Sequence, residues 1–501
     1  MGALEEAINP KYYYSRHQPE KTSLYQIIQS NLTKFIEQVE AEKGYPLPNF
    51  VIKEFYDYLD CGILAKGFLR LHCEGCGADG LVAFSCKHRG FCPSCGGRRM
   101  NETATHLVAS VLPHQRIRQW VMSFPIPIRL LLSVKPDVMG KVLNIVNQCI
   151  SKYYRTKAGL TKKECQTGAV TLIQRFGGSI NLNVHFHSLY IDGAYQLNSD
   201  QKPHVFCPIA EPTIEELTAV LQRIIKKIIS LLEKHGYLIR DNEDELSLSI
   251  DNEDTFSQIQ ASSVVYRFAT GPNRGKRALV LKTTPTMDHA SGAGLVAVHS
   301  GFSLHAGVAV DGGERKKLEK LARYIARPPI AQDRLRLNEQ GQVVYELKKP
   351  YRDGTSHIVM SPLELLEKIT AIIPRPRVHL TRFHGVLAPH YKYRDLVVPK
   401  KVESLPSLEE DRKNEKVKSM RASWARLLKR VFDVDVETCG VCGGKVKIIA
   451  TIKKPEVIRK ILDHIGMPSV PPEIASSRGP PSFYDDEFSH DTCHTSENVY
   501  S

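Results

Sequence analysis

Apolar residues recur every three or four positions in LYQIIQSNLTKFIEQVEA (24–41), and this spacing predicts an amphipathic helix within a helical segment over residues 1–60. The same period runs more strongly through IEELTAVLQRIIKKIISLLEKHG, predicting a helix over 213–235 that stops at Gly236. Shorter helices are predicted over 101–112 and over 315–327, the latter stopped by Pro328 and Pro329. Between about 115 and 200 the pattern turns mixed: QWVMSFPIP, GAVTLIQRFG and SINLNVHFHSLYIDG read as strands, with helical stretches between them. VVYELKKPYRDGTSHIVM reads as a hairpin turning at Asp353-Gly354. There is no internal repeat. An acidic stretch over 240–260 reads as exposed, and the last thirty residues, rich in Pro, Ser and Asp, as a disordered tail.

Composition narrows the partner. The chain of 501 residues carries a formal net charge of +14 and a sequence pI of about 9.1, a surplus suited to a polyanion. No run of 18 apolar residues suggests a membrane span, and MGALEEAINPKYYY lacks the basic and apolar regions of a secretory signal. Nucleic acid in a cytoplasmic setting is therefore the expected partner and place.

Six of the 12 cysteines fall between Cys61 and Cys95. Cys73/Cys76 and Cys92/Cys95 form two C-x-x-C knuckles, each able to aim two thiolates at one ion, so these four are the expected tetrahedral zinc site. Gly77 and Gly96 follow the knuckles, where a tight turn favours positive φ. Cys86 and His88, between the knuckles, read either as extra ligands or as a buried thiol and a surface histidine. Lys87, Arg89, Arg98 and Arg99 make this module basic enough to touch phosphates. A further pair, Cys439 and Cys442, has the same knuckle shape but no second C-x-x-C after it, and zinc binding there is left open.

Two further features carry possible chemistry. His185 and His187 stand two apart on a predicted strand, so both imidazoles and Asn183 share one face while Val184 and Phe186 take the other. Two neutral imidazoles side by side can hold a divalent cation; the plainer alternative is a hydrogen-bonded structural pair. In KKLEKLARYIARPPIA, Leu318, Leu321, Ala322 and Ile325 form an apolar stripe, and Tyr324 falls roughly 110° from its centre, off the core face. Arg323 and Arg327 flank it. A free phenol, with a pKa near 10, is a poor nucleophile, and neighbouring cations or a metal would favour the phenolate. The plainer alternative is a partly exposed surface tyrosine. Between Pro374 and Lys401 lie seven Lys or Arg and one acid, interleaved with Phe383, Tyr391 and Tyr393, a pattern suited to a nucleic-acid strand or to a solvated basic surface. A second basic segment, about 413–430, is predicted to be a helix with Trp424, Leu427 and Leu428 on its apolar face.

The strings FSCKHRGFCPSCGGRRM, RQWVMSFPIPIR, NVHFHSLYIDGAY, LARYIARPPIA, SPLELLEKITAIIPRPRVHLTRFHGVLAPH and CGVCGGKVKIIATI occur in one order over roughly residues 60–450. In them the chain resembles rolling-circle transposases of the insertion sequence 91 type. The resemblance implies an α+β fold: an HUH nuclease domain with an antiparallel sheet flanked by helices, preceded by a small zinc-binding module. The expected organisation is an N-terminal helical segment (1–60), a zinc module (61–105), the catalytic domain (106–400, with a helical insertion at about 205–260), and a C-terminal part (401–501). The resemblance also implies that His185 and His187 hold Mg²⁺ or Mn²⁺ and that Tyr324 attacks a single DNA strand, leaving a 5′-phosphotyrosine and a free 3′-hydroxyl. Zn²⁺ is the structural metal. The partners are single-stranded element ends and target DNA in a bacterial cytoplasm, in contact with the nucleoid. Arg98, Arg99, Arg323, Arg327, Arg375, Arg377 and Arg382 are the expected DNA contacts.

Two departures stand out. Some members carry a second tyrosine four positions away, but here positions 320 and 328 are Lys and Pro, so this is a single-tyrosine form. Pro328 cannot serve as a third metal ligand, and His305 is the candidate, against a core strand histidine as the alternative. A plasmid replication initiator or relaxase shares the same chemistry, and a non-catalytic zinc-dependent DNA-binding protein would use the zinc module and basic stretches alone.

Overall fold

The computed structural model describes residues 18–240, 246–248, 254–282, 295–351, 353–399, 438–439 and 441–475. Within the acidic stretch read as exposed over 240–260, residues 241–245 and 249–253 lie outside these residues, while its end enters the helix Thr255–Val264, which buries Phe256 and Ile259, so that part is not exposed. The basic segment over 413–430 and the tail from residue 476 lie outside the described residues.

A six-stranded antiparallel sheet organises the molecule, in the order Val296–His299, Phe302–Val310, Ile117–Ser123, Leu182–Ile191, Gly168–Phe176 and Thr381–Gly385. Strand alternation gives it two apolar faces. Val184, Phe186 and Tyr190 point into a large core with Trp120, Met122 and the helices Pro136–Lys157, Ile214–Lys234, Thr255–Val264 and Pro362–Ile372. Leu189 and Ile191 point the other way, under the helices Pro93–Ser110 and Arg315–Ile325. His185 and His187 share this second face. The mixed helices and antiparallel sheets agree with the expected α+β class.

The helix Ile214–Lys234 is opened by a capping box, Thr213 and Glu216 each bonding the other's backbone N–H. Its stripe Leu217, Val220, Leu221, Ile224, Ile228 and Leu232 is buried in the main core, so the segment read as an insertion forms one of the core's layers. The N-terminal helices Ser23–Lys43 and Asn49–Asp60 bury Phe35, Phe55 and Tyr58 in the same core. The expected hairpin forms between Val343–Glu346 and Thr355–Met360, with Gly354 at φ 81°.

A separate three-stranded sheet joins distant parts of the chain. Phe68–Cys73 lies between Asp79–Ala83 and Val446–Ile452, antiparallel to both. The segment after 438, grouped by sequence with the tail, is thereby built into the N-terminal module. Among the described residues no helix is long and apolar enough to cross a membrane.

Candidate functional site: the histidine pair and the tyrosine helix

His185 and His187 project from adjacent same-face positions, their ring centroids 4.9 Å apart. The strand carries them because the residues flanking them face the core: Leu182, Val184 and Phe186 are buried on the other side, which fixes the register. His185 Nδ1 donates to the Asn183 carbonyl at 2.8 Å, leaving Nε2 with its lone pair. His187 Nδ1 lies 2.7 Å from the Gln119 side-chain amide. With Gln119 Nε2 donating, His187 Nδ1 accepts; turning the amide end for end instead frees His187 Nε2 as a lone pair.

Burial pushes His185 down to about 4, with Arg129 and Arg327 adding to the effect. Burial also takes His187 to about 3, helped by His185, Arg327 and His305. Both rings are neutral at physiological pH, the form that binds metal. The side-chain oxygen of Asn183, on the same face, is buried without a hydrogen-bond partner. Two neutral imidazoles beside an orphaned oxygen can hold a divalent cation.

His305 pairs across the sheet with Val121, which pairs with His187. It thus faces the same side, about 10 Å away backbone to backbone. Among the described residues, the three imidazoles do not form one cluster with ligand atoms within 4.8 Å, so the geometry leaves His305 apart from the pair.

Tyr324 is 46% exposed on the helix Arg315–Ile325, while Leu318, Ala322 and Ile325 are buried beneath it. The ring lies between two cations: Arg327 Cζ is 4.9 Å and Lys348 Nζ 4.7 Å from its centroid. One hydrogen bond ties this helix to the strand Gly168–Phe176, which pairs with the histidine strand. Gln174, directly opposite His185 in the sheet, donates from Nε2 to the Ile325 carbonyl at 2.6 Å. Gln174 is 6% exposed, so this bond is shielded from water. Gln174→Leu is therefore expected to lower strand cleavage about tenfold or more, with a melting shift of only a few degrees. Single-turnover cleavage and thermal melting on the same preparation check this, and full activity in the variant would show that the bond does not position Tyr324.

The cysteines correct the expected zinc site. Cys73 and Cys76 do not meet Cys92 and Cys95. Instead Cys61, Cys86, Cys92 and Cys95 form one group, and Cys73, Cys76, Cys439 and Cys442 another, each with all sulfurs within 4.8 Å. Close pairs measure 3.7 Å (Cys61–Cys95), 3.5 Å (Cys86–Cys95), 3.5 Å (Cys73–Cys442) and 3.6 Å (Cys76–Cys439). These separations are far too long for disulfides and match the S···S spacing of about 3.8 Å around tetrahedral zinc. The reason for the regrouping is pairing: the antiparallel match of Cys73 with Val446 brings the late knuckle onto the early one. Cys61, missed by the sequence reading, sits at the C-terminus of the helix Asn49–Asp60, and Cys86 is a ligand candidate rather than a lone buried thiol. His88 faces Asp57 and Glu54 instead of the sulfurs.

Gly96 differs from expectation too. Gly77 has φ 71°, but Gly96 is inside a helix, and a Cβ there would meet Pro328 Cβ at 2.7 Å. Its glycine lets the zinc-module helix press against the end of the tyrosine helix.

The expected DNA-contacting arginines separate into two sets. Arg323 pairs with Glu319 at 2.7 Å and Arg375 lies 3.5 Å from Asp254, so each already has an acid partner. Arg377 and Arg382 are exposed, and Arg98 and Arg99 partly so. Arg327 has no ion pair among the described residues and leaves its Nε unpartnered. The cysteine quartets support structural zinc.

Two family models match the chain. The model described as Transposase zinc-binding domain matches residues 27–124, and the one described as Putative transposase matches residues 168–394. The first spans the Cys61 quartet; the second spans the histidine pair, His305 and Tyr324. No curated protein and no solved structure matches the chain. A transposase zinc-binding domain of the insertion sequence 91 kind, holding the Cys61 quartet, followed by a transposase domain, identifies this chain as a member of the insertion sequence 91-type transposases.

Proposed function

We propose that this transposase is an HUH nuclease that cuts and rejoins single DNA strands through Tyr324. The observation that supports the reading is the shared sheet face: Gln174, opposite His185 in the ladder, bonds to the carbonyl of Ile325, the residue after Tyr324. His185 and His187 would hold Mg²⁺ or Mn²⁺, with the unpartnered Asn183 oxygen nearby and His305 farther along the face. The cation, when bound, polarises the scissile phosphate.

The chain's own groups do the rest. Arg327 and Lys348 stand against the Tyr324 ring, where their charges can neutralise an approaching phosphate. The phenol gives up its proton and its oxygen bonds to phosphorus. The bond from phosphorus to the 3′ oxygen breaks, and that oxygen takes up a proton to leave as a 3′-hydroxyl. The 5′ end stays on the protein as a phosphodiester of tyrosine, so rejoining requires no nucleotide hydrolysis. The partners are element ends and target DNA in single-stranded form, and the work is done in the bacterial cytoplasm at the nucleoid.

The test uses purified protein, Mg²⁺ or Mn²⁺, and single-stranded DNA carrying the element's origin end, labelled on the 3′ side of the cut. Label is expected to travel with the protein through a denaturing gel, and to be lost with chelator. DNA binding with no adduct under either metal would overturn the nuclease reading in favour of a binding protein.

A further inference from the structure

A cleft of about 280 Å³ opens where the zinc module meets the nuclease sheet. Arg89 and Arg99 come from the zinc module, Arg175 from the end of the strand Gly168–Phe176, Arg327 from just past the tyrosine helix, and His379 from the far rim. No aspartate or glutamate lines it.

Arg175 is the unusual member. It is 5% exposed; its Nε makes a long 3.4 Å bond to the Ile372 carbonyl, and its Nη2 is buried and unpartnered. The Nε atoms of Arg99 and Arg327 are also buried without partners. A buried guanidinium with no acid beside it is strongly unfavourable unless something anionic completes it. Burial and the nearby Arg375 lower the Arg175 guanidinium to about 10, and burial, followed by Arg89, lowers that of Arg99. The cleft wall thus carries cations and free donors but no carboxylate, the negative groups near Arg99 being Cys95 and Glu102. Planar guanidinium forks suit the oxygens of a phosphate. Its wall includes Ile325–Pro329, the residues directly after Tyr324.

We propose that this cleft seats a backbone phosphate of the strand on which Tyr324 acts, gripped jointly by the zinc module and the nuclease sheet. The proposal rests on the reading that the chain handles a DNA strand at Tyr324. It gives the zinc module a direct part in substrate binding: Cys92 and Gly96 line the same cleft, so the metal-bound fold sets where Arg89 and Arg99 stand.

The test measures binding of full-length protein to the single-stranded origin-end DNA by fluorescence anisotropy, in chelator that spares the zinc, so that no strand is cut. Arg175→Gln and Arg99→Gln are each expected to weaken binding about five- to tenfold near 0.1 M salt and to flatten the plot of log K against log salt by roughly 0.7. A scan with single neutral methylphosphonate linkages is expected to find one position that weakens wild type and adds nothing to Arg175→Gln. Unchanged slopes in both variants, or a scan that penalises wild type and variants alike, overturns the proposal. Should Arg175→Gln melt early, the partly exposed Arg99→Gln decides alone. Protection from heat by inorganic phosphate, with a silent methylphosphonate scan, would assign the cleft to a free anion and also overturn it. Normal adduct formation with wild-type binding by the variants sinks the cleft alone. Cleft-dependent binding without any adduct sinks the nuclease reading alone.

Discussion

Tyr324→Phe is expected to bind the origin strand within about twofold of wild type and to reduce cleavage by at least a thousandfold. The substitution removes one oxygen and keeps the ring, so the contacts of Arg327 and Lys348 with its face survive. The residue is nearly half exposed and makes no hydrogen bond that the fold needs, so stability should change by under about 0.5 kcal/mol. On the proposed mechanism, what disappears is the atom that bonds to phosphorus, and loss of a nucleophile generally removes most of the rate. Single-turnover cleavage beside anisotropy binding checks both halves. A Phe variant that still forms a covalent adduct would move the nucleophile to another tyrosine, and one that no longer binds would turn Tyr324 into a binding residue.

The second large effect concerns zinc. The protein is expected to release two zinc ions per chain on thiol modification, one from each quartet. Cys61, Cys92 and Cys95 are buried in the main core beside Phe55 and Phe91. Loss of that metal removes on the order of 10 kcal/mol, comparable to the whole stability of a typical domain. Cys61→Ser should therefore yield little soluble protein and bind at most one zinc. Cys76 and Cys442 are exposed, and Val446–Ile452 has mostly exposed or partly exposed side chains. Cys442→Ser should fold, bind one zinc, and become protease-sensitive near residue 446. The decisive comparison is Cys61→Ser: a single site built from Cys73, Cys76, Cys92 and Cys95 would leave its zinc content and solubility unchanged.

Much of the framework is legible in the chain because it is written in short-range periodicity. The alternation through Asn183–His187 announces a strand with both histidines on one face, and Thr213 with Glu216 announces where a helix begins. The exposure of Tyr324 follows from its angle to the Leu318 stripe. What stays hidden depends on contacts between distant segments. Cys73 and Cys92 are near neighbours in sequence, yet the ladder from Cys73 to Val446 sets the sulfur partners. Eight cysteines in knuckles or close to them did offer one signal, since eight thiols fill two tetrahedra. Gln174 and Arg175 are adjacent polar residues at the end of an apolar strand, a pattern that marks something unusual without saying what each one faces.

The outer quartet also has a temporal meaning. Cys76 and Cys439 are 363 positions apart, so on a ribosome adding about 5–20 residues per second the early knuckle waits roughly 20 to 70 s for its partner. During that interval the nascent chain presents two thiols without their mates, close to four others competing for the same metal. Correct metal allocation is thus a kinetic sorting problem, solved when the inner four fill first and the late strand arrives to claim the remaining pair.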